Sequence, residues 1–381
     1  MALAPLLFLD HATAMGGAEG SLLLLLQHLS RPHALACPPG PLAEKAQGLG
    51  ISVHLTELPR LRRSPRFVLD WARGANEIAQ LARGTGARAL YGNTVRAALY
   101  AAPAARLARV PFIWHMRDFW LSESRPRALW ADTFGKRMLI RAARRVITNS
   151  HAVAAELPAS AKISVVHNGI EVARFDPAMD GGAFRAQYGI PGDAPVAGVV
   201  GRLRPWKGQD RFVRAMAHGA ARVAENLPEA RFLIVGGEIF GVQDAFERDL
   251  HALVEALGLT TRVIFTGQLA DVRPALAAME VFVHPGEPEP FGLVNIEAMA
   301  MGKPVVAFGH GALPEIVVDG ETGVLVPPGD EEALAEAVLG LLRDPARVRQ
   351  MGAAGRARVE AHFTVQQTVA GVERILDEVL R

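Results

Sequence analysis

Disulfides, membrane spans and nucleotide-binding glycine fingers are all missing from this sequence. A single cysteine, Cys37, stands among 381 residues. It can form no internal disulfide, which excludes a stapled secreted scaffold and fits a reducing cytoplasm. A lone cysteine here reads as a small buried hydrophobe rather than a nucleophile. The most apolar run, Leu22–Leu26, ends at Gln27 and His28, far short of the roughly 20 residues a membrane span needs. Met1–Leu9 carries no basic n-region and runs straight into Asp10 and His11, so it reads as a buried first strand, not a signal peptide. No Gly-x-Gly-x-x-Gly follows that strand, which argues against a dinucleotide oxidoreductase. No Asp-x-Asp and no His/Cys cluster with metal spacing is present, so no metal site is expected.

What is present is enough apolar mass for two cores. Half of the residues are hydrophobic, and a chain of this length suits two domains. The net charge is only +2, but it is unevenly spread. Residues 1–175 hold 22 Lys and Arg against 11 Asp and Glu, and the remainder holds 19 against 28. A basic first half beside an acidic second half suggests an anionic partner for the first. Arginine-rich surface composition accounts for it equally well.

The chain alternates short apolar runs with amphipathic stretches. The runs Leu3–Leu9, Ile51–Leu55, Ala89–Tyr91, Phe112–Met116, Val146–Thr148 and Ile163–Val166 read as buried parallel strands. So do Val196–Val200, Phe232–Val235, Val263–Phe265, Val281–His284 and Pro304–Phe308 in the second half. Helices are expected between most of them, including Ala18–Leu29, Asp210–Val223, Ala245–Leu257, Gly292–Met301 and a last one over Thr364–Leu380. Such alternation gives α/β domains with doubly wound sheets. The richest mid-chain cluster of breakers lies between 171 and 195. The expected organisation is therefore a first domain over 1–175, a linker at 176–195, a second domain over 196–360, and a C-terminal helix over 361–381 that packs back on the first. Sheets of this kind bind ligands at the carboxyl ends of their strands.

The chemistry-bearing residues fall at those ends. After the strand ending at His284 comes Pro-Gly-Glu-Pro-Glu-Pro-Phe-Gly-Leu, then a helix that Gly302 closes. The amides of Phe291, Gly292 and Leu293 then lie at a helix start, which suits an anion. Glu289 precedes the helix and Glu297 lies within it, and two carboxylates can accept hydrogen bonds from vicinal hydroxyls. Either acid alone reads as a helix-start or surface glutamate. Glu297, however, sits among Ile296, Ala298 and Met299, where an acid needs a partner. A second loop, Gly201-Arg202-Leu203-Arg204-Pro205-Trp206-Lys207-Gly208, carries Arg202 and Lys207, a fork and a point charge for phosphate, or ordinary surface cations. After the first strand, Gly16 and Gly17 permit close backbone approach, or simply a tight turn; Glu19 reads as a favourable first-turn acid. His115 ends the strand Phe112–Met116, where a satisfied core histidine is the plain alternative.

Together these residues resemble the family-4 retaining glycosyltransferases. Glu289 and Glu297, with seven residues between them, look like that family's paired-acid motif, and the surrounding Glu-Pro-Phe-Gly-Leu…Glu-Ala-Met-Ala…Gly-Lys-Pro-Val-Val is similar to it throughout. Thr148-Asn149-Ser150, Asn168-Gly169-Ile170, Gly309–Glu315 and Gly320–Val326 resemble further landmarks. The resemblance implies a GT-B fold, two Rossmann-like domains facing across a cleft, and transfer of a hexose-type sugar from a nucleotide-diphosphate donor with retention. It implies that Glu289 binds the sugar and Glu297 the ribose. It also implies that Arg202, Lys207 and the amides of Phe291, Gly292 and Leu293 hold the diphosphate or sugar. Gly16 and Gly17 would face the ligand, and His115 would contact the transferred sugar. Asp follows the His directly in the family; here Met116 and Arg117 intervene before Asp118, so Asp118 receives no role. No cofactor and no nucleic acid is implied. A sugar-nucleotide epimerase of the same fold, or a silent nucleotide-sugar-binding partner, remain the alternatives.

The acceptor is expected to be a saccharide or a lipid-linked molecule, at the inner face of the membrane. Residues 117–145 interleave eight Lys and Arg with Phe119, Trp120, Leu121, Trp130, Phe134, Met138 and Leu139. This pattern suits peripheral contact with an anionic membrane surface. It equally suits an amphipathic helix with its apolar side turned inward.

Overall fold

The computed structural model describes residues 5–58, 67–119, 129–218, 227, 229–237 and 245–381. The chain forms two compact units, residues 1–169 with 365–381, and residues 170–364. The first contains a parallel sheet of seven strands in the order β3-β2-β1-β4-β5-β6-β7. These are β1 (Leu6–Leu9), β2 (His33–Cys37), β3 (Ser52–Leu55), β4 (Ala89–Gly92), β5 (Phe112–Met116), β6 (Arg145–Thr148) and β7 (Ile163–Val165). The second contains a parallel sheet of six, ordered β10-β9-β8-β11-β12-β13. Its strands are β8 (Val196–Val200), β9 (Arg231–Val235), β10 (Val263–Gly267), β11 (Val281–His284), β12 (Val305–Phe308) and β13 (Gly323–Val326).

The pleat sorts each strand's side chains onto two faces. Leu7 and Leu9 of β1 join one core and Leu6 and Phe8 the other. In the second unit Phe232 and Ile234 of β9 pack on one face and Leu233 and Val235 on the other. Both faces are therefore buried, which is why these strands read as unbroken apolar runs. Strand order reverses direction at β1/β4 and at β8/β11. Those are the places where crossovers leave on opposite sides and open a crevice at the strand ends.

The sequence boundaries of β5, β8 and β11 coincide with the observed ones. Two strands went unread. β2 is the Ala-containing HALAC between prolines, and β13 lies in a glycine-rich stretch taken only as a landmark. Residues 3–4 of the expected first strand and 219–223 of the expected helix from Asp210 lie outside the described residues; that helix is observed over Gln209–His218.

The last helix, Val365–Leu380, belongs to the first unit. Its Val365, Val369, Val372, Ile375, Leu376 and Val379 join the core of helix Gly17–His28. Six buried aliphatics contribute on the order of 10 kcal/mol, an upper figure because unfolded chains are partly compact. Arg145 donates to Glu378 at 2.7 Å and Arg31 pairs with Asp377. Both acids are exposed, and pairs open to solvent in this way add only about 1 kcal/mol each, so packing holds the helix. Among the described residues no helix is long and apolar enough to cross a membrane.

The breaker-rich stretch 176–195 differs from its reading as a linker. It lies inside the second unit, and Phe184, Ile190 and Ala194 are buried in that unit's core. Arg185 on the helix Gly182–Gln187 holds it there. It donates to the carbonyls of Gly192, Ala194 and Ala278 at 3.0, 2.8 and 2.8 Å, and to Glu280 at 2.8 Å. Breaker residues mark where secondary structure stops, and here tertiary hydrogen bonds hold the segment that follows. Arg185→Met, which keeps the stem but leaves these acceptors unpaired, is expected to cost about 3 kcal/mol. A urea midpoint for the second unit equal to wild type would show that Arg185 is dispensable.

Candidate active site

In the second unit two loops meet at the carboxyl ends of the central strands. β8 runs into Gly201–Arg204, a 3-10 turn over Pro205–Lys207, and the helix Gln209–His218. β11 runs into the 285–292 loop and the helix Leu293–Ala300. Close backbone approach locks them together. Glu287 N–H donates to the Trp206 carbonyl at 2.7 Å. Gly208 has φ +72°, and a Cβ there would fall 2.1 Å from the Pro285 carbonyl oxygen. Gly311, at φ +58°, brings a third loop against Glu289, with the Ala312 amide donating to the Glu289 carbonyl at 2.9 Å.

This packing sets Lys207 against Glu289. The ammonium donates to both carboxylate oxygens, at 2.8 and 3.0 Å, and each side chain keeps only about a fifth of its surface exposed. Burial alone would push Glu289 up, but Lys207, His284 and Arg202 together hold it below the usual carboxylate range. Arg202 itself is exposed. Gln209 donates to its carbonyl at 2.9 Å and so fixes the backbone beneath it.

The helix after Glu289 starts at Leu293, with Gly292 as N-cap at φ +82° and no side chain capping it. Uncapped amides at a helix start attract an anion. Phe291 is buried as an anchor. Glu297, one turn into this helix, is half-buried. Burial raises its carboxyl to about 7, with Arg174 opposing. Arg174 is itself bonded to Glu171 at 3.2 Å. Glu297 forms no ion pair among the described residues, and Arg174 acts on it only from a distance.

In the first unit a polar residue directly follows β1, β4, β5 and β6: Asp10, Asn93, Arg117 and Asn149. Asp10 after β1 accepts from Asn93 at 2.7 Å. Arg117, past the end of β5, donates to Asn93 at 2.6 Å and Asn168 at 2.7 Å, and Asn149 donates to the Arg117 carbonyl at 3.0 Å. Burial lowers the Arg117 pKa, while Tyr91, Asp10 and Glu19 act to raise it. Gly16 caps the helix Gly17–His28, and Glu19 folds over that start. Its carboxylate takes the amides of Glu19 and Gly16, as a capping box does. Burial, reinforced by Asp10, raises it to about 7. Glu19 is therefore a buried acid rather than an exposed first-turn charge. A Cβ on Gly16 would come within 2.9 Å of that carboxylate.

His115 has no exposed surface. Its Nδ1 lies 2.5 Å from the Tyr91 hydroxyl, and burial, with Arg117 adding, keeps the ring neutral. Asp118 is exposed and accepts from the Phe119 amide next to it, at 2.8 Å. The structure thus gathers Lys207, Glu289, Arg202, Gly292 and Leu293 in the second unit, and Gly16 and Gly17 at a helix start in the first. Sequence reasoning missed Arg117, Asp10, Asn93, His284 and Asn295. For Asp10, Asn93 and Arg117 the available signal was a polar residue directly after β1, β4 and β5; His284 and Asn295 carried none.

Comparison with known proteins follows the two units. A model described as Glycosyltransferase Family 4 matches residues 15–174, and one described as Glycosyl transferases group 1 matches residues 182–358. A lipopolysaccharide core biosynthesis mannosyltransferase of Rhizobium meliloti is 32% identical over 247 residues, covering 64% of this chain and 68% of that protein. A D-inositol 3-phosphate glycosyltransferase of Streptomyces scabiei is 37% identical over 242 residues, 61% of this chain and 53% of that protein. Against a further lipopolysaccharide core mannosyltransferase, of Rhizobium leguminosarum, the match spans 60% of the relative's length. The structure of Anabaena HepE in complex with UDP superposes with a TM-score of 0.85 at 27% identity, over 98% of this chain and 100% of that one.

The raised Glu297 carboxyl has a measurable consequence without any ligand. In the unfolded chain it ionises near its ordinary pKa, in the folded unit only near 7. Its ionisation therefore costs stability as pH rises through that window. Glu297→Gln is expected to raise the melting temperature over wild type at pH 8 and to leave it unchanged at pH 4. An equal difference at both pH values would remove the strain assigned to this acid.

Proposed function

From the chain's membership of the group 1 glycosyltransferases, shown by its matches to both halves of that family and its GT-B fold, we propose that it transfers a hexose-type sugar. The donor is a nucleoside-diphosphate sugar and the acceptor a hydroxyl. The anomeric configuration is retained and no metal takes part. The observation that carries this reading is the Lys207–Glu289 pair beside an uncapped helix start at the strand ends. It puts a cation, a hydroxyl acceptor and free amides where a sugar diphosphate needs all three.

Arg202, Lys207 and the amides of Gly292 and Leu293, with Phe291 anchoring them, receive the diphosphate. They stabilise the charge that grows on it as the glycosidic bond breaks. Glu289 accepts from sugar hydroxyls and Glu297 from the ribose. The acceptor attacks from the face the diphosphate leaves, and a leaving phosphate oxygen takes its proton, so no protein base is required. Gly16 and Gly17 offer backbone at the first unit's strand ends. His115 has no exposed surface and bonds the equally buried Tyr91, so it is assigned to holding the strand end rather than to touching the substrate.

The names of relatives support the substrate classes. One solved neighbour is held in complex with UDP-glucose, and one relative is GDP-mannose-dependent. Two act in lipopolysaccharide core biosynthesis, which favours a saccharide or lipid-linked acceptor in cell-envelope synthesis. A cytoplasmic enzyme working peripherally at the inner membrane face fits the helix Leu129–Ala142. There Phe134 and Met138, one turn apart, are 61% and 49% exposed among the exposed Arg137 and Arg141. Residues 120–128 of that basic stretch lie outside the described residues. Sedimentation with anionic but not neutral vesicles supports the contact, and no difference between them removes it.

A thermal-shift screen with UDP-glucose, GDP-mannose and related donors, in EDTA, tests the main reading. A ligand present at 100 times its Kd should add about 2.7 kcal/mol of stability, and slow donor hydrolysis should persist in the chelator. An epimerase would return a stereoisomer of the donor, and a silent binding protein would release no sugar. No stabilisation by any nucleotide sugar, or hydrolysis that requires added Mg2+ or Mn2+, would overturn it.

A further inference from the structure

His284 ends β11 directly behind Glu289, and the reading above leaves it without a task. It is buried, and its Nε2 has no hydrogen-bond partner among the described residues. A neutral ring carries one proton, and its location here is fixed by a neighbour. The Asn295 amide nitrogen donates to the Gly292 carbonyl at 3.0 Å, which sets the orientation of that amide. The same nitrogen lies 3.4 Å from His284 Nδ1, so Nδ1 is the acceptor and Nε2 carries the hydrogen. Burial, reinforced by Lys207 and His310 and opposed by Glu289, lowers the imidazole to about 4, so at neutral pH this tautomer persists.

That unsatisfied N–H lies 4.0 Å from Glu289 Oε2, too far for a hydrogen bond. Both Glu289 oxygens are instead drawn to Lys207. A buried donor without an acceptor costs about 1–3 kcal/mol, and a carboxylate shift of about 1 Å would satisfy it. A diphosphate competes with Glu289 for the Lys207 ammonium, because it offers more negative charge. Once Lys207 turns to the phosphate, Glu289 loses the group that oriented it.

The geometry points to His284 as a positioning residue that takes Glu289 over from Lys207 when the donor binds, aiming the carboxylate at the sugar hydroxyls. Glu289 then has two alternative holders, one for the empty site and one for the loaded site. The hand-over rests on the donor-binding reading of this unit. It predicts that His284 matters only to the sugar portion of the donor.

The test compares nucleotide-sugar and nucleoside-diphosphate affinities by calorimetry, using UDP-glucose with UDP, or GDP-mannose with GDP, whichever pair the wild type binds. His284→Phe keeps a ring but has no N–H. It is expected to bind the sugar nucleotide about tenfold more weakly, to bind the diphosphate as wild type does, and to hydrolyse the donor more slowly. His284→Gln, which can present an N–H from the same depth, is expected to recover part of the sugar-nucleotide affinity. Equal losses for both ligands would make His284 a merely structural residue, and unchanged sugar-nucleotide affinity would remove it from the site. Either result overturns the inference while leaving the donor-binding reading intact. A wild type that binds neither pair would instead overturn that reading, and the inference with it.

Discussion

Lys207 and Glu289 are held largely out of water at the ends of β8 and β11, 2.8 Å apart, and much of the second unit's loop geometry exists to bring them there. Gly208 and Gly311 each adopt a positive φ where a Cβ would strike a neighbouring backbone. Gly292 starts a helix that no side chain caps. A partly buried ion pair returns little net stability, because desolvation offsets most of the attraction. Three glycines and an uncapped helix make poor structural sense for such a return. They make better sense if the pair is half of a binding site whose other half is the ligand's charge and hydroxyls.

The same logic separates the two raised carboxyls from the lowered one. Glu289 stays ionised because cations surround it. Glu297 and Glu19 are raised to about 7 by burial. Glu19 finds backbone amides at the helix start and stabilises the glycine turn. Glu297 finds no such donors among the described residues, and a helix interior supplies none. The donor-site reading gives this acid the ribose hydroxyls as partners.

Much of the architecture was legible because buried parallel strands leave a clear trace. β5, β8 and β11 begin and end abruptly, at prolines, glycines or charged residues. β2 escaped because His33-Ala34-Leu35-Ala36-Cys37 has a polar start and small residues, and its burial comes from its neighbours. The segment 176–195 reads as a connection in sequence, because its prolines and glycines are visible and the carbonyl partners of Arg185 are not. In the site, Glu289, Arg202 and Lys207 were picked out because the residues around them resemble a known family's motifs, and they do follow strand ends. The orphaned N–H of His284 and the buried hub at Arg117 depend on side chains from distant segments, such as Asn93 and Asn168, that no local pattern joins. His115 shows the converse: its place at a strand end suggested an open contact, but the pleat turns it inward against Tyr91.

The account turns on Lys207 and Glu289 forming one donor site, and a double-mutant cycle measures that directly. Lys207→Met, Glu289→Gln and the double variant are compared for unfolding free energy without ligand and for nucleotide-sugar affinity. The account predicts that the double variant loses less stability than the two single losses added, since neither charge is then left unpaired. It also predicts that every variant binds the donor at least about tenfold more weakly, as expected for one lost charge-assisted contact. Additive stability losses together with wild-type donor affinity in the double variant would contradict it.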